Sequence, residues 1–273
     1  MGHQYISHRP DDSGFINYSQ IEHDTWAKLI ARQNPVVKDK AHPLYLEGLK
    51  RLNFPHDRIP QHSEVSQILN EYTGWGVEPV AALIPATQFF TLLSNKKFPA
   101  ASFIRIPEEL NYIEEPDIFH EFYGHCPLIT EKPYAHFLHE IGKVGLTIEP
   151  KLRKYVFRLF WFTIEFGLIK TPSGLVSYGG GILSSIHETV SCLTDPKVER
   201  QDFDLMNVLR TDYRIDIPQP LYFVINSLDQ VYELAEIDIA SKINQAYQMG
   251  DLPVKYPPRT VVAADLVKRE VDC

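Results

Sequence analysis

Cysteine is scarce in this chain: Cys126, Cys192 and Cys273 are all there are. So sparse and odd a set argues against a disulfide framework and suits a reducing compartment, which makes the cytoplasm the expected location. Basic charge is also in deficit, with 27 Lys and Arg against 35 Asp and Glu and a net charge of −8. That balance argues against a nucleic-acid partner, which normally demands a basic patch. No run of 18 apolar residues is present, so no membrane span is expected. The opening residues Met1-Gly2-His3-Gln4-Tyr5 lack the basic and apolar regions of a secretory signal. Nor is there an internal repeat or a low-complexity linker, and the prolines are scattered rather than gathered at one boundary. What is present, 44% hydrophobic and 23% charged residues, fits one globular core.

The expected organisation is therefore a single domain over residues 1–273, mainly α with a few short β-strands. Residues 1–20 read as a polar lead-in arm, and 250–273 as a C-terminal tail. Apolar spacing predicts a helix from Ser19 that ends before Pro35, a second over Ala41–Leu52, and a third from Ser63 that stops at Gly74. The β-branched stretch Ala101–Ile106 predicts a strand, as does Leu221–Ile225. Further helices are expected over about 115–124, 133–145, 151–169, 182–193 and 227–248.

Chemistry concentrates in Pro116-Asp117-Ile118-Phe119-His120-Glu121-Phe122-Tyr123-Gly124-His125-Cys126-Pro127. Five residues of α-helix turn the chain by about 500°, which leaves His120 and His125 roughly 140° apart. They converge if the helix stops at Gly124, where glycine readily takes the left-handed backbone of a helix end. The spacing also differs from the zinc-protease pattern, whose two histidines sit four apart on one face. Two ligands are too few for a metal. A carboxylate as the third would complete the two-histidine, one-acid facial triad of non-haem iron(II) oxygenases.

The segment 155–169 is hydrophobic on every face and belongs in the interior. Glu165 is the anomaly within it, because a buried carboxylate needs a metal or a partner. Trp161 lies one turn earlier and would set an aromatic wall beside that acid. Arg158 is an equal alternative partner for Glu165, in which case the acid is structural. His136 and His139, with Glu140 next door, read as a solvated helix face.

Three blocks then combine: Glu115 to His125, Trp161-Phe162-Thr163-Ile164-Glu165-Phe166-Gly167-Leu168, and Tyr178-Gly179-Gly180-Gly181-Ile182-Leu183-Ser184-Ser185. In order and spacing they resemble the catalytic domain of the pterin-dependent aromatic amino acid hydroxylases. The resemblance implies that His120, His125 and Glu165 bind Fe(II), and that Arg105 pairs with the substrate carboxylate through its guanidinium fork. It implies that Trp161 lines the ring pocket. Ser184 and Ser185, just past a flexible glycine turn, would orient the amino-acid end of the substrate or support a ligating histidine. Asp117 would anchor that region from behind. Leu83 and Phe89 fall on the expected tetrahydropterin loop, with Phe89 stacking on the pterin and Glu121 hydrogen-bonding it through water.

The activity so implied is hydroxylation of L-phenylalanine to L-tyrosine with O2 and a reduced pterin, by a monomer or small homo-oligomer. Tyrosine or tryptophan as substrate is the alternative within the family. Outside it stand a zinc hydrolase using His120, His125 and either Cys126 or Glu165, with Glu121 as base, and a non-catalytic amino-acid-binding module.

Overall fold

The computed structural model describes residues 5–81, 84–111, 113 and 115–257. It is mainly helical, with two small sheets. Helix α1 (Gln20–Val37) starts at a reciprocal cap. Ser19 Oγ accepts from Glu22 N, and Glu22 Oε2 accepts from Ser19 N at 2.7 Å. It runs through Pro35 instead of ending before it. The last turn is held from outside: Gln33 is buried and its amide donates to Leu183 O at 2.7 Å and Thr189 Oγ1 at 3.0 Å. That anchoring, with Val37 in the core, outweighs the bond a proline forfeits. Helices α2 (Pro43–Leu52) and α3 (His62–Thr73) follow, and α3 closes at Gly74 with φ of 75°.

Strands β1 (Gly76–Val80) and β2 (Lys97–Ala101) pair in parallel around helix α4 (Ala86–Ser94). The expected strand over Ala101–Ile106 therefore sits four residues upstream. The reason is local. Phe103 O accepts from Ile118 N at 2.9 Å and Arg105 N donates to Asp117 Oδ2 at 3.0 Å, so this backbone is tied to the segment before His120.

Helices α5 (Cys126–Ile129), α6 (Lys132–Thr147) and α7 (Arg153–Phe160) build the centre. The hairpin β3 (Leu168–Thr171) and β4 (Gly174–Ser177) follows. Next come the short helices α8 (Gly180–Leu183) and α9 (Ile186–Thr194), strand β5 (Glu199–Asp202) and helix α10 (Leu205–Arg210). Strand β6 (Leu221–Ile225) lies between β3 and β5, parallel to both, and all five of its residues are buried, as an interior parallel strand requires. Two helices close the chain, α11 (Asp229–Tyr232) and α12 (Ile239–Met249). Among the described residues no helix is long and apolar enough to cross a membrane.

Both ends of the described chain are tied to this body. Tyr5 stacks on Phe103 with ring centroids 4.6 Å apart, Ser7 Oγ donates to Val80 O at 3.0 Å, and Ile16 and Tyr18 are buried. At the far end Asp251 accepts from Lys154, Tyr155 and Arg158 on α7.

Candidate metal centre and active site

Residues His120–His125 and Trp161–Glu165 are not α-helical but π-helical. Their turns close with bonds from residue i+5: Cys126 N donates to Glu121 O, and Phe166 N to Trp161 O at 2.9 Å. In such a turn residues five apart come into line, so His120 and His125 share one face without the helix stopping. Gly124 accordingly does not adopt the left-handed conformation, which among the glycines falls to Gly14, Gly74, Gly174 and Gly250. Its role is clearance, since a Cβ there would lie 2.5 Å from Gly180 O.

Three donor groups converge. His120 Nε2 is 3.1 Å from His125 Nε2, which is 3.2 Å from Glu165 Oε1, and His120 Nε2 is 3.7 Å from Glu165 Oε2. Metal bonds of ~2.1 Å at right angles would set donors about 3.0 Å apart, so the spacing fits one face of an octahedron. Burial lowers the pKa of His120 to about 4, favouring the neutral imidazole that a metal requires. Ser184 Oγ lies 3.0 Å from His120 Nδ1. Accepting the proton there leaves the lone pair on Nε2. Burial works against the Glu165 charge, but His125, His120 and the Gly181 N–H outweigh it and hold the carboxyl below its usual range.

Glu121 also offers an oxygen within 4.8 Å of both histidines. It differs from Glu165 in charge: burial, followed by the nearby Glu165 and Asp117, raises its pKa well above the ordinary carboxyl value. The two carboxyls thus differ in the direction of their shift, Glu165 being held toward the charged form and Glu121 toward the neutral one. Arg158 does not take Glu165, because it is bound to Asp251 at 2.8 Å and Asp212 at 3.3 Å.

The glycine run is a buried turn rather than a flexible one. A Cβ on Gly180 would lie 2.5 Å from His125 Nδ1 and Cε1, and one on Gly181 would lie 2.9 Å from Glu165 Oε2. These glycines let α8 close over two of the three donors.

Arg105 is 5% exposed and Asp117 is 0% exposed. The guanidinium grips Asp117 with two bonds, Nε to Oδ2 at 2.8 Å and Nη2 to Oδ1 at 2.9 Å. Asp117 Oδ1 also accepts from His120 N at 3.0 Å, linking the arginine to the histidine pair. Nη1 of Arg105 carries no hydrogen bond among the described residues. Ser185 caps α9, accepting from Glu188 N at 3.3 Å.

Aromatic rings surround the histidine and tryptophan side chains. Trp161 stacks on Tyr213 at 4.3 Å and leans on Phe166 at 4.5 Å. Phe98 lies 4.9 Å from the His125 ring, while Phe89 packs on Phe160 at 5.3 Å and Phe157 at 5.8 Å. Leu83 lies outside the described residues. Cys126 is fully buried, and the candidate metal cluster does not include it. His136 pairs at the surface with Glu236, 3.2 Å away, as a solvated face would. His139 is half-buried and its Nδ1 is enclosed without a hydrogen-bond partner among the described residues, so the solvated-face expectation holds only for His136. Sequence reasoning missed Gln219, which binds the Trp161 indole, and Tyr213; neither lies in a motif that points to the site.

Residues 5–269 match the biopterin-dependent aromatic amino acid hydroxylase family. Phenylalanine-4-hydroxylase of Pseudomonas aeruginosa is 48% identical over 256 residues, covering 94% of this chain and 97% of the relative. The apo structure of the cold-active phenylalanine hydroxylase from Colwellia psychrerythraea 34H superposes with a TM-score of 0.91 at 47% identity, covering 94% of this chain and all of that one (100%). The Chromobacterium violaceum phenylalanine hydroxylase with bound oxidised Fe(III) gives 0.85 at 37% identity, over 93% of this chain and 92% of that one. This chain belongs to the biopterin-dependent aromatic amino acid hydroxylases.

Proposed function

We propose that the chain is an Fe(II)- and tetrahydropterin-dependent monooxygenase that converts L-phenylalanine and O2 to L-tyrosine. The convergence of two imidazole nitrogens and one carboxyl group within 3.7 Å of one another, in a family of pterin-dependent hydroxylases, carries the reading. Bound together, ferrous iron and the reduced pterin supply the oxygen activation that an unreactive aromatic ring needs.

The protein's own part is placement. His120, His125 and Glu165 would hold the iron, with Ser184 fixing the His120 tautomer. The outer edge of the Arg105 guanidinium suits an amino-acid carboxylate, and Asp117 holds the fork rigid from behind. Trp161 would wall the substrate ring. Phe89 would stack on the pterin, and Glu121, whose carboxyl is pushed by burial toward the protonated form, would hydrogen-bond it through water. Phe98 and Phe160 keep water from the histidine side. Buried free thiols at Cys126 and Cys192 support a reducing compartment, and we place the chain in the cytoplasm.

His120→Ala and Glu165→Ala are expected to lose iron and tyrosine formation together. The checks are metal analysis after anaerobic ferrous loading, and chromatography after adding a tetrahydropterin, oxygen and each aromatic amino acid in turn. Full turnover by His120→Ala would sink the ligand assignment; preferential hydroxylation of tyrosine or tryptophan would sink the substrate.

A further inference from the structure

Gln219 lies far from every motif in the sequence, yet its side chain is buried and meets the Trp161 indole. Trp161 Nε1–H donates to Gln219 Oε1 at 3.1 Å, while Gln219 Nε2 donates to Leu221 O. A donor on one side and a carbonyl on the other admit only one orientation of the amide. The backbone is held as well. Gln219 N donates to Glu188 Oε1 at 3.1 Å, and the other oxygen of Glu188 accepts from the Tyr222 hydroxyl. Glu188 lies in the first turn of α9, directly after Ser184 and Ser185. One chain of contacts therefore runs from the first turn of α9 through Gln219 to the indole.

Stacking on Tyr213 and contact with Phe166 resist tilting of the indole but hold it less well against sliding parallel to the stacked faces. The Gln219 bond restrains that sliding. We propose that Gln219 is a positioning residue that fixes the Trp161 indole and thereby sets where the substrate ring lies, so that oxygen consumption stays coupled to ring hydroxylation. The inference rests on the reading of Trp161 as the substrate wall. A wall that shifts by about 1 Å can cost a reaction on the order of 100-fold, because the reacting atoms no longer meet.

The test is a double-mutant cycle with Gln219→Leu, Trp161→Phe and the double variant, each iron-loaded and assayed with phenylalanine and a tetrahydropterin. Gln219→Leu is expected to raise the KM for phenylalanine about ten-fold and to lower tyrosine formed per pterin oxidised, with the KM for pterin unchanged within about two-fold. In the Trp161→Phe background the same change should alter either quantity by less than about two-fold, since the group it acts through is gone. In the metal-free proteins, Gln219→Leu and Trp161→Phe should lose the same near-ultraviolet circular dichroism band. Wild-type KM and coupling in Gln219→Leu would overturn the inference, as would an effect that carries over in full to Trp161→Phe. If Trp161→Phe itself behaves as wild type, the ring-wall assignment falls with it, while tyrosine production still stands. Should Gln219→Leu fail to fold, Gln219→Met keeps the side-chain length and enters the same cycle.

Discussion

Asp117 shows how much one side chain can hold. Its two oxygens accept from Arg105 N, Nε and Nη2 and from His120 N, four bonds within a site closed to water. Burial alone would raise its pKa, yet the Arg105 charge and these bonds hold the carboxyl below its usual range. The same residue thus orients the proposed substrate-binding arginine and the first of the two proposed iron-binding histidines. Asp117→Asn replaces one acceptor with a donor that faces the guanidinium and leaves the arginine charge unpaired. Breaking a buried pair in this way costs about 3–5 kcal/mol. At about 2–4 °C per kcal/mol for a chain of this size class, the melting temperature should fall by roughly 6–20 °C. Thermal denaturation of the metal-free protein checks this. Phenylalanine affinity of the loaded enzyme should fall with it, and a variant that melts like the wild type would refute the account.

At the scale of elements, the site depends on two π-helical turns and one buried run of glycines. Gly180→Ala puts a methyl group 2.5 Å from the His125 ring, so either the imidazole turns or α8 withdraws. Overpacking of this kind costs about 1–3 kcal/mol, and the displaced ring should weaken ferrous iron binding by about ten-fold or more. Competition with a chelator measures the loss. Gly14→Ala serves as the control. It strains a backbone with φ of 82° but meets nothing within 4 Å, so iron affinity should not change.

These elements also mark where sequence reading succeeded and stopped. The meeting of His120, His125 and Glu165 was legible only in part: a carboxylate in an apolar helix demands a partner, but the choice of the histidines over Arg158 came from the family resemblance. The device that joins the histidines was not legible. Five-residue spacing on an α-helix forced a break at Gly124, whereas the chain inserts a π-turn, which depends on tertiary packing rather than on local preference. The glycine run was visible but misread as flexible, since only the packed structure shows His125 and Glu165 against it. Strand β6 was legible from its apolar run. β5 (Glu-Arg-Gln-Asp) was not, because its polar residues pair with β6 through the backbone alone. Gln219 left no signal at all, as a single amide far along the chain has no periodicity to betray it.

The whole molecule is closed by a contact between the segment after α12 and the middle of the chain. Asp251, just past α12, accepts from Arg158 Nη1 at 2.8 Å, Lys154 Nζ at 2.8 Å and Tyr155 Oη at 2.9 Å. Leu252 N donates to Arg210 O at 2.8 Å, and Gly250 O accepts from Arg210 Nε at 2.7 Å, so this segment also fastens α10. Helix α7 leads directly into the π-turn that carries Trp161 and Glu165, so the clamp steadies the site from behind. Hydrogen bonding from Arg158 pulls the Asp251 carboxyl well below the usual range. A carboxyl whose folded pKa is depressed contributes stability above its unfolded value, near pH 4, and loses it as pH falls toward the folded one. Asp251→Asn should therefore be less stable than the wild type at pH 7 by about 1–2 kcal/mol, the scale of a charged hydrogen bond. The gap should narrow steadily below about pH 4, where the carboxyl takes up its proton in the unfolded wild type but still resists it in the folded one. Urea unfolding of both proteins from pH 7 down to pH 3 reads the difference directly. Because other depressed carboxyls, including Glu22 and Glu64, titrate in both proteins, they cancel in the comparison. A gap that stays constant with pH would mean that Asp251 acts through packing and not through its charge.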